Sequence, residues 1–215
     1  MTRIDLKVDL KLSEAEMQEY LYIFSKLRQK YYSLKKKVYY NEDNSNIESV
    51  YYKGSRFNIN VYDKQNQLKK KGIDNPTYKN VFRLELQIKS KELSAYCKRF
   101  GTSKELINFW DIAVRDYFFN NLLIEKFLYN GDYYNQNNIN FKLEDIKLST
   151  QQKLLEFCRN IAETDITEAS KKLSRGTASK YIKELTEREI NPVMIKRFDY
   201  LAGLKTIIEE KSRAV

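Results

Sequence analysis

Arg3 to Leu12 alternates without a break, with Ile4, Leu6, Val8 and Leu10 on one side and Arg3, Asp5, Lys7, Asp9 and Lys11 on the other. A period of two places successive side chains on opposite faces of a strand, so this segment is a strand with one apolar and one charged face. Two further segments follow the same rule. Phe57, Ile59 and Val61 oppose Asn58, Asn60, Tyr62 and Lys64, and Phe82, Leu84, Leu86 and Ile88 oppose Arg83, Glu85, Gln87 and Lys89. Strands with one wet face belong in an antiparallel sheet. The apolar face must then be covered, and the segment after the first strand supplies the cover: Ser13 and Glu16 form a capping box, and Met17, Tyr20, Leu21, Phe24 and Leu27 follow as a helical stripe.

Between these segments, Val50 to Lys53 and Phe57 to Lys64 read as a hairpin turning at Gly54 and Ser55, and Val38 to Tyr40 as a short strand. Beyond Ile88 the pattern is helical. A capping box at Thr102 and Glu105 predicts one long helix through Trp110, Val114, Tyr117 and Leu122, ending near Asn130 and Gly131. Tyr133 to Asn140 lacks periodicity and reads as a boundary. Helices are then expected at Gln151 to Ala162, Thr167 to Leu173, Thr177 to Arg188, and from Pro192 to about Glu210. The expected fold class is α+β. An antiparallel sheet with helices on one face occupies residues 1–130, a linker spans 131–148, and a small all-helical domain with a helix-turn-helix spans 149–215.

Lys and Arg number 39 against 29 Asp and Glu, a net charge of +10 distributed along the chain. A folded basic surface favours a polyanion, most commonly nucleic acid. Histidine is absent altogether, which excludes imidazole bases, triads that need them and most transition-metal sites. Catalysis by such a chain must use carboxylates, Tyr, Lys or Arg, with an oxygen-liganded cation if a metal takes part. Cys97 and Cys158 are too few for a disulfide framework and read as buried thiols in a reducing compartment. With no apolar run long enough to span a bilayer and no signal peptide pattern, the expectation is a cytoplasmic protein without membrane contact.

Placed in one sheet, the three alternating strands gather Asp5 or Asp9, Tyr62 and Glu85 on a common polar side. Asp5 and Asp9 lie about 13 Å apart along a strand, so one ion can take Glu85 and only one of the two. The plainer reading is a salt-bridged surface, since Arg3, Lys7, Arg83 and Lys89 alternate with the acids. A tyrosine can attack a DNA phosphate when nearby positive charge lowers the cost of a phenolate. Tyr62, with Lys64 one strand repeat away, is the foremost candidate, and Tyr39, Tyr40, Tyr51 and Tyr52 compete with it.

Three blocks carry a resemblance. Thr2-Arg3-Ile4-Asp5-Leu6-Lys7-Val8-Asp9, then Tyr52-Lys53-Gly54-Ser55-Arg56 with Asn60-Val61-Tyr62-Asp63-Lys64, then Phe82-Arg83-Leu84-Glu85-Leu86 resemble, in order and spacing over residues 2 to about 100, the replication initiation factor family of rolling-circle plasmid and phage initiators. Members of that family carry a further segment before the Arg-x-Asp strand, so the chain is read as a version shortened at its N-terminus. The resemblance implies a nicking-closing enzyme with Tyr62 as nucleophile and with Asp5 and Glu85 as ligands of Mg2+ or Mn2+; Lys64 is the candidate for the nearby positive charge that helps the nucleophile. Arg56 and the run Lys69, Lys70 and Lys71 are candidate DNA contacts. In the tail, Ala169 occupies the small-residue position of a helix-turn-helix, and the second helix would offer Arg175, Thr177, Ser179, Lys180 and Lys183 to duplex DNA.

The expected partners are therefore origin DNA, duplex and single-stranded, together with a second copy of the chain as a homodimer. A rival expectation is a non-catalytic regulator from a mobile element that binds DNA, or that inhibits a host defence protein in the manner of an anti-CRISPR. A third is an interaction module whose charge serves only solubility.

Overall fold

The computed structural model describes residues 1–28 and 34–213, the last four as backbone only. The chain divides into two compact units, one of Met1–Leu21 with Gln29–Lys126, the other of Tyr22–Arg28 with Phe127–Val215. Among the described residues no helix is long and apolar enough to cross a membrane, and Cys97 and Cys158 are free, buried thiols.

The first unit is built on a five-stranded antiparallel sheet of order β1-β5-β4-β3-β2. Its strands are β1 (Arg3–Lys11), β2 (Lys35–Tyr40), β3 (Ile47–Lys53), β4 (Phe57–Asp63) and β5 (Val81–Lys89). The alternation seen in the sequence decides the faces. Phe57, Ile59, Val61, Leu84, Leu86 and Ile88 are completely buried, whereas Asp5, Lys7, Asn58, Asn60, Glu85 and Gln87 keep contact with water. The capping box forms as expected: Ser13 N–H and Oγ–H both donate to Glu16 Oε2, at 2.7 and 2.6 Å, and Glu16 N–H donates to Ser13 Oγ at 3.3 Å. It opens α1 (Glu14–Lys26), whose Tyr20 ring meets Phe82 of β5 at 6.1 Å between centroids. Each buried aromatic of this size contributes about 2–3 kcal/mol relative to exposure, so the apolar face is where the unit's stability resides.

After β5 come α3 (Ser90–Phe100) and α4 (Ile112–Phe118). The single helix expected from Thr102 to Asn130 is broken into pieces. Gly101 ends α3 in the left-handed conformation at φ 65°, Leu106–Phe109 makes a 3-10 turn with no side-chain cap from Glu105, and Asp111 restarts the helix by accepting from Ala113 N–H at 2.8 Å. Phe119–Ile124 then widens into π geometry. Trp110, expected within that helix, sits at the break and is 80% exposed.

The second unit holds α5 (Gln136–Lys142), α6 (Leu148–Glu163), α7 (Ile166–Lys171), α8 (Arg175–Glu187) and α9 (Leu204–Arg213), with a two-stranded ribbon of β6 (Tyr133–Tyr134) and β7 (Tyr200–Leu201). Residues 131–148, expected as a linker, instead carry β6 and α5: Tyr133, Ile139 and Leu143 are fully buried, and Asn135 caps α5 by accepting from Asn138 N–H at 3.0 Å. The last helix also begins later than Pro192. Val193, Met194 and Ile195 are all buried in succession, which an irregular segment can achieve and a half-buried helix cannot. Buried Asn191 fixes that segment by accepting from Val193 N–H at 3.2 Å and donating to Tyr129 O at 3.3 Å.

Candidate functional site

The register of the sheet determines which polar side chains meet. Tyr62 stands opposite Arg83, Asn60 opposite Glu85 and Asn58 opposite Gln87 on one side of β5. On the other side Asp9 faces Arg83, Lys7 faces Glu85 and Asp5 faces Gln87. One diagonal step thus separates Tyr62 from Glu85, and another separates Glu85 from Asp5, a spacing within reach of long side chains.

The Tyr62 hydroxyl donates to Glu85 Oε2 at 3.0 Å, and Gln87 Nε2 donates to Glu85 Oε1 at 2.8 Å. Asn58 Nδ2 in turn donates to Gln87 Oε1 at 2.9 Å. These groups line an open depression of about 450 Å3 bordered by Arg3, Lys53 and Lys89. Tyr62 itself is only 5% exposed. Burial, then the charge and hydrogen bond of Glu85, hold its phenol above the ordinary value, with Arg83 opposing. The resting group is therefore a neutral phenol whose proton already points at a carboxylate.

The acids are not equivalent. Asp9 is occupied by Arg83, whose Nε and Nη2 each donate to it at 2.6 Å. Asp5 pairs with Arg3 at 2.8 Å, and its carboxyl is pushed up by burial first, with the Glu85 charge adding to the rise and Arg3 opposing both. Asp5 and Glu85 are thus coupled like charges with oxygen donors only. Such a pair fits Mg2+ or Mn2+, which commonly take one or two carboxylates and complete their shell with water and phosphate oxygens. Among the described residues no group of three or more Asp, Glu, His or Cys side chains assembles.

Lys64 is not a strand residue. Asp63 accepts from Asn66 N–H at 3.1 Å and so caps a short helix, α2 (Lys64–Lys69), that begins where β4 stops. Lys64 Nζ donates to Gln67 Oε1 at 2.8 Å and lies over the rings of Tyr62 and Tyr78, at 5.9 and 5.6 Å. Burial, then the positive charges of Arg83 and Lys71, lower its pKa. Of the other basic candidates in this unit, Arg56 is paired with Glu92 of α3 and Lys70 with Glu48, while Lys69 and Lys71 are exposed.

In the second unit, Ser174 accepts from Thr177 N–H at 3.2 Å to start α8, and the two hydroxyls lie 2.8 Å apart. Ala169 and Leu185 are buried, and Arg175, Ser179, Lys180 and Lys183 are exposed, while Thr177 is half-buried. Lys183 pairs with Glu187 at 3.5 Å.

Three participants were not singled out from the sequence. The alternation placed Arg83 and Gln87 on the polar face next to Glu85, Arg83 as a salt-bridge partner, but gave neither a role at the site. Gln67 reaches the depression only because α2 exists, and its six residues carry no apolar stripe to announce a helix. No protein-family model matches the chain, and no characterised protein is detectably similar to it in sequence.

Proposed function

We propose that this chain is a DNA-binding protein of a mobile element that nicks one strand through Tyr62, as the resemblance of its three blocks to rolling-circle initiators implies. The observation that carries the reading is the 3.0 Å hydrogen bond from the Tyr62 hydroxyl to Glu85. A phenol held above its ordinary pKa attacks phosphorus only if its proton leaves as the bond forms, and Glu85 is the acceptor already in contact. The Tyr62 Oη–P bond forms, the P–O3′ bond breaks, the phenolic proton passes to Glu85, and the departing 3′ oxygen takes a proton from water. The products are a 5′-phosphotyrosyl link and a free 3′-hydroxyl. Arg3, Lys53 and Lys89 bordering the depression hold the strand by its phosphates. Asp5, together with Glu85 through the oxygen that does not accept from Tyr62, would hold Mg2+ or Mn2+, which would supply charge neutralisation for the phosphate. In the second unit, α8 is the element offered to duplex DNA.

Incubating the protein with supercoiled DNA of its element and Mn2+ is expected to give an open circle and protein covalently attached to a 5′ end, both lost in Tyr62→Phe. An adduct that persists in Tyr62→Phe overturns the choice of nucleophile. A second reading, a non-catalytic DNA-binding regulator or an inhibitor of a host defence protein, is favoured by the burial of Tyr62. Intact plasmid with salt-sensitive DNA binding retained is the outcome that selects it.

A further inference from the structure

A second concavity lies on the same polar face, on the far side of Tyr62 from Asp5. It has a volume of about 270 Å3 and is lined by Tyr39 and Tyr51, by Glu48, by Asn66 and Gln67 of α2, and by Lys70 just beyond its end. Tyr62 and Gln67 line both this pocket and the depression beside Glu85, so the two are contiguous. We infer that this pocket is a nucleobase subsite: it takes one unpaired base of the strand whose phosphate lies beside Tyr62. The inference rests on the reading that the polar face takes a single DNA strand.

Size, shape and chemistry agree on a base. The volume falls below the range of about 300–1,000 Å3 that encloses whole drug-sized ligands, which suits one planar ring system with its sugar left outside. The two tyrosine rings stand 5.2 Å apart and tilted at 56°, and Tyr39 is 39% exposed, so an aromatic face is offered at the mouth. Unpaired bases stack on such rings whatever their sequence.

The polar wall is suited to hydrogen bonding and poorly suited to a second phosphate. The register slips between Tyr39 and Tyr40, leaving Glu48 outside the ladder as a bulged residue, and bulges of this kind re-aim side chains. Glu48 pairs with Lys70 and accepts from Asn66 Nδ2 at 3.3 Å. The one cation of the wall is thereby neutralised. Gln67 accepts from Lys64 through Oε1, and its NH2 group donates to no side chain among the described residues. An amide donor beside aromatic rings is what a base edge engages.

The test measures binding, without cleavage. The full-length protein, free of divalent cations, is titrated with a dT 12-mer and with an abasic 12-mer of equal charge, alongside Tyr39→Ala and Gln67→Ala. Wild type is expected to prefer dT12 by on the order of 5- to 100-fold, the worth of a stacked base. Tyr39→Ala is expected to fall to the abasic level, and Gln67→Ala to lose part of the preference. Equal binding of the two oligonucleotides by wild type overturns the subsite while leaving the strand reading intact. A preference unchanged in Tyr39→Ala overturns its location here. Failure to bind either oligonucleotide overturns the subsite together with the strand reading. Circular dichroism of both variants confirms that they fold.

Discussion

Asp9 and Arg83 form a two-point ion pair across β1 and β5, with both N···O distances at 2.6 Å, and Tyr62 stands opposite Arg83 on β4. The Arg83 side chain is 9% exposed and that of Asp9 36%, so the guanidinium depends on this one carboxylate for compensation. Removing the acid leaves a nearly buried cation unpaired, which costs far more than the net worth of the pair. Asp9→Ala is expected to destabilise by about 2–4 kcal/mol in urea unfolding. Combining it with Arg83→Met should recover at least half of that loss. A double variant as unstable as the sum of the singles rejects the coupling.

Asp63 gives a stability effect of defined pH sign. Burial, its largest influence, raises its carboxyl above the ordinary value against the hydrogen bonds from Asn66 and Gln65. A group whose proton is held more tightly in the folded state than in the unfolded chain contributes stability below the unfolded value near 3.8, and loses it as pH rises through the folded value. Asn caps a helix as well as Asp does. Asp63→Asn should therefore match or trail wild type at pH 3 and exceed it at pH 7, by less than about 1 kcal/mol given the partial exposure of the group. Thermal unfolding at the two pH values checks the crossing. A variant less stable than wild type at pH 7 contradicts it.

The sheet was legible because alternation is a local property: Arg3–Lys11 and Val81–Lys89 each declare their faces without reference to any other strand. The capping box at Ser13 and Glu16 was legible for the same reason. What could not be read was everything set by pairing. That Tyr62 lies one diagonal from Glu85, and that Asp9 is taken by Arg83 while Asp5 stays beside Glu85, follow from a register that no single strand encodes. The break at Asp111 and the start of α2 at Asp63 show a further limit. Each depends on whether one acidic side chain folds back on the backbone two or three residues ahead, and the same residue in an unbroken helix would simply face water.

Arg175 and Lys180 separate a DNA-facing helix from a merely solvated one. Both are exposed on α8, whereas Lys183 is drawn to Glu187. If α8 meets phosphate, Arg175→Ala and Lys180→Ala should each lower the slope of log affinity against log salt for duplex DNA by about 1, and Lys183→Ala by less. Ser174→Ala should act differently: it removes the cap of α8, costing about 1 kcal/mol of stability, with no change in the slope itself. Slopes identical to wild type in all three basic variants would remove α8 from the interface.

Glu85 offers a test in which acidity and rate move in opposite directions. Its charge and its hydrogen bond both help to hold the Tyr62 phenol above the ordinary value. Glu85→Gln keeps the shape and removes the charge, so the Tyr62 resonance, assigned by its loss in Tyr62→Phe and followed by NMR of ring-labelled tyrosine, should titrate at lower pH than in wild type. A nucleophile limited by its own acidity would then react faster. If Glu85 is the proton acceptor, the variant should instead form the covalent adduct more slowly at neutral pH, by on the order of 10²- to 10⁴-fold, the usual contribution of a positioned base. A downward shift in the phenol with an unchanged or faster adduct would remove Glu85 from the chemistry and leave it the role of a hydrogen-bond partner.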